Sequence, residues 1–124
     1  MYMSINRNKN NEFQVDLIDG ITVVKSNLLR VTLNEAKILK QTLDSLITAN
    51  HYRIVIDLTD THFIDSATSG VLLNAMRSVK KLNGDILTIT PHKNINNLFN
   101  QTRLSKIFKQ YNTTEQALAF YSAL

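Results

Sequence analysis

The sequence contains no cysteine and no tryptophan, and it has only one proline and three glycines among 124 residues. Without cysteine, the chain can form no disulfide and offers no thiolate as a metal ligand or nucleophile. The glycines at positions 20, 70 and 84 are too widely spaced for a glycine-rich phosphate loop. Any chemistry must therefore come from hydroxyl, carboxylate, amine or imidazole groups.

Long apolar runs are also absent from the sequence. No stretch approaches the roughly 18 consecutive apolar residues of a membrane span. The first 13 residues lack the apolar central block of a signal peptide. We therefore expect a cytoplasmic protein that does not bind a membrane, and the chain length suits one domain with its own core.

The basic residues give a formal net charge of +4 but are scattered, with no run longer than Lys80-Lys81. A nucleic-acid-binding protein more often concentrates its basic residues into a stripe with interleaved aromatic side chains. We therefore expect no direct contact with nucleic acid, whereas an anionic protein partner is compatible with this charge.

Hydrophobic periodicity predicts a single α/β domain over residues 12–124, preceded by a flexible, asparagine-rich arm at residues 1–11. Alternating apolar residues around Asp19-Gly20 predict a β-hairpin over residues 12–25. Further strands are predicted at residues 53–58, 85–90 and 107–109. Helices are predicted from Thr32 or Asn34 to Asn50, from Asp65 or Ser66 to Asn83-Gly84, around Ile95, Leu98 and Phe99, and after Thr113 or Thr114.

The strand, helix and strand between residues 53 and 90 form a βαβ unit, whose strands run parallel. Together with the hairpin, this unit predicts a mixed β-sheet of four to five strands with about four helices. The last helix is expected to bury Ala117, Leu118, Phe120, Tyr121 and Leu124.

Catalytic and metal-binding patterns are weak. The three histidines, His51, His62 and His92, lack the i, i+4 spacing of a helical zinc site. Ser69 lacks the preceding glycine of a nucleophile elbow. Asp57, Asp60 and Asp65 surround one strand end, but no second acidic cluster faces them in the sequence. We therefore assign no catalytic residue, no metal site and no cofactor, and we expect a protein that is not an enzyme.

The pair Asp65-Ser66 lies where a polar turn meets the second long helix. Either residue can cap that helix, because a side-chain oxygen can accept one of its unpaired backbone N–H groups. A hydroxyl at this position also lies at the carboxyl edge of a parallel sheet, where α/β proteins usually bind ligands. The positive end of the helix dipole would tolerate a phosphate on Ser66.

The segment RIVIDLTDTHFIDSATSGVLLNAMRSVKKLNGDILTIT, residues 53–90, resembles the core of a STAS domain of the bacterial anti-sigma factor antagonists. In that family a strand ending in DL, a spacer, the motif (F/Y)(I/M)DSSGLGVL, an amphipathic helix, a glycine and a strand follow in this order. The tail NLFNQTRLSKIFKQYNTTEQALA, residues 97–119, is also similar. The resemblance spans about 110 residues, from Glu12 to the end of the chain.

The resemblance implies a binding module controlled by phosphorylation. Ser66 would be phosphorylated by an anti-sigma factor that is also a serine kinase, and a PP2C-type phosphatase would reverse the reaction. The unphosphorylated protein would bind that kinase and so promote transcription that depends on the sigma factor. The residues expected to contact the partner are Asp65, Ser66, Ala67, Thr68, Ser69 and Gly70.

The chain departs from the family pattern at three positions. Glycine is usual at the position of Thr68, an apolar residue at Ser69, and an acid at Arg30. These departures motivate an alternative function, in which the STAS domain is a docking subunit of a transporter ATPase or of a signalling assembly and is not phosphorylated. A nucleotide-hydrolysing enzyme is disfavoured by the missing glycine loop.

Overall fold

The computed structural model describes residues 2–4 and 12–124. The strands are β1 (Tyr2–Ser4), β2 (Phe13–Ile18), β3 (Ile21–Ser26), β4 (Arg30–Val31), β5 (Arg53–Asp57), β6 (Phe63–Ile64), β7 (Asp85–Ile89) and β8 (Lys109–Tyr111). The helices are α1 (Leu33–Thr48), α2 (Ser66–Lys80), α3 (Lys93–Gln101) and α4 (Thr114–Ser122), with a single 3-10 turn at Leu104–Lys106.

Six strands form the main sheet in the order β1-β2-β3-β5-β7-β8. The pairs β1-β2 and β2-β3 are antiparallel, whereas β3-β5, β5-β7 and β7-β8 are parallel. The predicted hairpin is confirmed, since Asp19 and Gly20 both have positive φ angles, 51° and 83°, as its two-residue turn requires. The predicted βαβ unit is confirmed as β5, α2 and β7.

Two apolar clusters hold the layers together, one on each face of the sheet. The larger cluster packs α1, α2 and α3 against one face and includes the fully buried Ile54, Leu72 and Phe99. The smaller cluster packs α4 against the other face through Ala117 and Tyr121. Each central strand therefore contributes apolar side chains to both clusters, which explains its continuous apolar sequence.

The structure confirms the mixed sheet and the four helices, and it adds details that periodicity missed. The sheet has one strand more than the expected four to five, because Tyr2–Ser4 pairs with β2. The sequence pattern places this segment in the flexible arm; the other residues of that arm lie outside the described part of the chain. The last strand begins at Lys109, later than predicted, and Leu124 is 73% exposed and does not join the core.

A second, two-stranded sheet pairs β4 with β6 in parallel, with Arg30 opposite Phe63 and Val31 opposite Ile64. The buried Thr61 fixes the approach to this pair. Its hydroxyl lies 2.8 Å from Ser26 Oγ and donates to the carbonyl of Leu28 at 2.7 Å. The chain leaving β3 is thereby held against the loop that precedes β6.

Candidate functional site

Asp65 is the N-cap of α2. Its backbone is extended, and its Oδ1 accepts a hydrogen bond from the backbone N–H of Thr68 at 2.9 Å. The Thr68 hydroxyl lies 2.8 Å from the same oxygen. Asp65 therefore has the capping role that the sequence predicted, with two contacts from one neighbouring residue.

The surroundings of Asp65 favour its ionised form. Partial burial is the largest single influence and raises its pKa. The hydrogen bonds from the N–H and the hydroxyl of Thr68, with smaller effects of the backbone N–H groups of Asp65 and Leu33, lower it, and together they outweigh burial. The pKa of Asp65 therefore lies below the usual aspartate value of 3.8.

Ser66 is the first residue of α2, and its side chain is exposed. Within the described part of the chain, its hydroxyl has no hydrogen-bond partner, unlike the hydroxyls of Thr68 and Ser69. The structure thus presents one unengaged hydroxyl at the positive end of α2, where the helix dipole favours negative charge.

Thr68 lies beneath this surface. Its side chain is 1% exposed, and its hydroxyl is 2.8 Å from the carbonyl oxygen of Val31 in β4. The hydroxyl is directed into the domain, and the contact of Thr68 with a partner stays a prediction. Thr68 ties the first turn of α2 to β4.

Ala67, Ser69 and Gly70 complete the predicted set, and all three are half-buried. The Ser69 hydroxyl bonds back to the carbonyl of Asp65 at 3.1 Å, as first-turn serines often do. A Cβ placed on Gly70 would meet no heavy atom within 4 Å. The glycine at this position is therefore not required by packing inside the domain.

The short β4-β6 sheet brings further residues beside Ser66 that sequence reasoning did not place there. Leu29 and Leu33 flank β4 and are 57% and 58% exposed, and the backbone N–H of Leu33 is close enough to Asp65 to lower its pKa. The guanidinium of Arg30 lies over the ring of Phe63, 4.3 Å from its centroid. Two exposed leucines and a cation thus border the start of α2.

A groove of about 470 Å³ continues from this border between β6 and α3. Its walls carry the apolar Leu29, Phe63 and Leu98, the side chains of Arg30 and His62, and the amides Asn94, Asn97 and Gln101. The sequence held no signal for this groove, because it depends on how α3 packs beside β6.

Four other residues considered from the sequence have structural partners: Asp57, Asp60, His62 and His92. Asp57 accepts a hydrogen bond from the N–H of Thr59, and Asp60 forms an ion pair with Lys25 at 3.4 Å. The rings of His62 and His92 stack with their centroids 3.4 Å apart. Among the described residues, no three His, Asp or Glu side chains are placed to hold a metal ion.

Comparison with known proteins identifies the fold. The family model described as STAS domain matches residues 12–117, most of the chain. The chain belongs to the STAS domain family. The matched residues include the β4-β6 sheet, Ser66 and the groove, so all three lie within the STAS domain.

Three relatives illustrate the range of proteins that this STAS domain resembles. A candidate anti-sigma factor antagonist of Thermotoga neapolitana, the TM1081 homolog, is 24% identical, covering 86% of this chain and 94% of that one. The Bacillus cell fate determinant SpoIIAA, solved in its phosphorylated form, is 17% identical with a TM-score of 0.69, covering 88% and 98%. A sulfate transporter family protein from Wolinella succinogenes is 16% identical with a TM-score of 0.74, covering 86% and 88%.

No helix within residues 2–4 and 12–124 combines the length and the apolar character needed to cross a bilayer.

Proposed function

We propose that this STAS domain is an anti-sigma factor antagonist whose binding is switched by phosphorylation of Ser66. In its unphosphorylated form it binds an anti-sigma factor serine kinase through the surface around the start of α2. Phosphorylation ends the binding, and a PP2C-type phosphatase restores it. The protein acts in the cytoplasm and promotes transcription that depends on the released sigma factor.

The observation that carries this proposal is the exposed hydroxyl of Ser66, which makes no hydrogen bond among the described residues. The neighbouring Asp65 already caps α2. Since Asp65 already binds the first turn of α2, the Ser66 hydroxyl is not needed to hold the helix. A kinase can therefore reach this oxygen without unfolding the domain. The relatives named as anti-sigma factor antagonists, and the phosphorylated form of SpoIIAA, support the same direction.

Phosphorylation would change the surface and leave the fold intact. A phosphoryl group adds about −1.5 to −2 charges and three acceptor oxygens. At the N-terminus of α2 the helix dipole offsets part of this charge within the domain. Inside a packed interface bordered by Leu29, Leu33 and the Asp65 carboxylate, the same charge must be desolvated. A cost of about 3 kcal/mol weakens binding roughly 100-fold.

The test is a phosphorylation assay with a serine kinase encoded beside this protein. The purified protein, incubated with that kinase and ATP, should gain the mass of one phosphoryl group. Ser66→Ala should abolish the gain. Ser69→Ala is the matched control, because it removes a hydroxyl three residues away that is bonded to Asp65.

Two results would contradict the proposal. One is phosphorylation that persists in Ser66→Ala and disappears in Ser69→Ala. The other is a phosphorylated protein that binds the kinase as tightly as the unmodified protein does.

A second candidate function is a STAS subunit that docks on a transporter ATPase or a signalling assembly without being phosphorylated. The similarity to a transporter-associated STAS fold and the cation at Arg30 favour this candidate. It predicts stable co-elution with the assembly in size-exclusion chromatography, and no change of mass with ATP and any neighbouring kinase.

A further inference from the structure

The groove between β6 and α3 carries positive charge and no negative charge on its walls. Arg30 contributes a guanidinium, and none of the eight residues that line the groove is acidic. The other walls are the apolar residues, the imidazole of His62 and three amides, and the amides can both donate and accept hydrogen bonds. The groove therefore offers one permanent cation between apolar contacts.

Arg30 has no acidic partner of its own. Among the described residues it lies within 4 Å of no carboxylate, whereas the nearby Lys25 is paired with Asp60. Its guanidinium is held over Phe63, which leaves the fork of N–H donors able to bind a carboxylate. The neutralising group is thus absent from the described part of this chain.

The walls of the groove are held in place before anything binds. His62 stacks on His92, and its backbone N–H donates to the carbonyl of Leu29 at 2.8 Å. His92 caps α3, since its Nδ1 accepts from the N–H of Asn94 at 3.1 Å. A site organised in advance loses less entropy on binding, which suits recognition of a short segment.

We propose that this groove receives an acidic segment of the protein partner, in which a carboxylate binds Arg30 and apolar side chains pack on Leu29 and Leu98. The assignment of the segment to the partner that docks at Ser66 rests on the proposed function. The charge complementarity rests on the groove alone.

The position of the groove explains how one phosphoryl group could oppose such a partner. Phe63 is opposite Arg30 and precedes Ser66 by three residues, a span of at most about 10 Å of extended chain. This is close to the Debye length of about 8 Å at physiological ionic strength. Salt therefore weakens the interaction, and negative charge on Ser66 would repel an acidic segment bound at Arg30 only modestly at physiological ionic strength and more strongly at low salt.

The test uses three synthetic peptides of equal length with blocked ends and the same leucines, which differ only in carrying glutamate, glutamine or lysine. Titration into the ¹⁵N-labelled protein should shift the signals of Arg30 Nε and of the side-chain amides of Asn94 and Asn97. The glutamate peptide should bind about fivefold more tightly than the glutamine peptide, and the lysine peptide most weakly.

Arg30→Gln should reduce binding of the glutamate peptide to the level of the glutamine peptide. Lys81→Gln is the matched control, since this exposed lysine follows the other end of α2, about 22 Å away, and should change nothing. Thermal unfolding of both variants would confirm that the fold is kept.

The proposal is overturned if the lysine peptide binds as well as the glutamate peptide, if the shifts lie elsewhere, or if Arg30→Gln has no effect. The assay needs neither kinase nor ATP. A negative peptide titration would therefore not affect the proposal that Ser66 is phosphorylated. A negative phosphorylation assay would likewise not affect the proposal that the groove binds an acidic segment.

Discussion

The two ends of α2 differ in how completely the domain satisfies them. At the C-terminal end, Lys80 and Lys109 both pair with Asp85, at 3.3 and 3.6 Å, and Gly84 is packed against Tyr52. At the N-terminal end, the Ser66 hydroxyl and the Arg30 guanidinium lack such partners among the described residues. The first arrangement is what a purely structural helix end requires. The second leaves groups available to another molecule.

The largest expected effect on stability is at the C-terminal end of α2, next to Gly84. A Cβ on Gly84 would lie 2.3 Å from the carbonyl oxygen of Tyr52, a backbone atom that cannot move alone. We expect Gly84→Ala to lower the free energy of unfolding by about 3 kcal/mol, measured by urea denaturation. Gly70→Ala is the control: it has open space and a helical backbone, and should raise that free energy by about 0.5–1 kcal/mol. Equal effects of the two changes would contradict the comparison.

A smaller effect on stability is expected at Thr68, beneath the N-terminal end of α2. Thr68→Val keeps the shape of the side chain but removes its hydrogen bond to the carbonyl of Val31. Losing this buried hydrogen bond leaves the carbonyl only the longer contact with the Asp65 N–H, at 3.3 Å, and should cost about 1 kcal/mol in the free energy of unfolding. Ser69→Ala, which removes a half-exposed hydroxyl, should cost less than about 0.5 kcal/mol. If the order of the two costs were reversed, Thr68 would not be the residue that ties α2 to β4.

The third prediction concerns pH. Because the folded protein lowers the pKa of Asp65, ionised Asp65 stabilises the fold fully above the unfolded pKa of 3.8. That stabilisation is lost as the pH falls from there through the folded pKa. Asp65→Asn should therefore be less stable than the natural protein at pH 7 by up to about 1 kcal/mol. The difference should shrink below pH 4.

Urea titrations from pH 7 down to the lowest pH at which both proteins still fold would measure this difference. A difference independent of pH would mean that the charge of Asp65 contributes nothing and that its capping geometry alone matters.

The smallest effect on stability is expected at Ser66 itself. Ser66→Glu places a negative charge on an exposed residue at the N-terminus of α2, where the dipole favours it. The free energy of unfolding should change by less than about 0.5 kcal/mol, while binding to the kinase falls by roughly 100-fold. Ser66→Gln, of similar size but uncharged, is the control for bulk. A melting temperature displaced by many degrees, or unchanged binding, would show that charge on Ser66 does not control partner binding in the way proposed.

Much of this fold could be predicted because the signals were long or chemically specific. The apolar stretch at Ile54 and the stripe through Leu72 and Val79 cover whole elements, and Asp19-Gly20 specifies a two-residue turn. The β4 and β6 strands are two residues each, too short for any period to appear. Phe108 suggested an early last strand, but it packs in the core just before that strand begins.

The site was predictable only in part, for a related reason. Asp65 and Ser66 could be placed at a helix start because capping depends on neighbouring residues. The inward direction of Thr68 depends on Val31, which lies far away in the sequence. At the end of α2, Asn83 has the left-handed backbone, with φ 60°, and Gly84 allows close packing against Tyr52. The sequence Asn-Gly alone does not show which of the two residues has which role.

The Val31 carbonyl faces both the hydroxyl of Thr68 and the N–H of Asp65, and the next residue, Thr32, is the cap of α1. The starts of both long helices thus depend on the same two-residue strand. One residue inserted into β4 ahead of Val31 would turn that carbonyl to the other side of the strand and disrupt the starts of both helices. The length of β4 is therefore constrained by two helices, whereas the turn at Asp19 joins only β2 to β3.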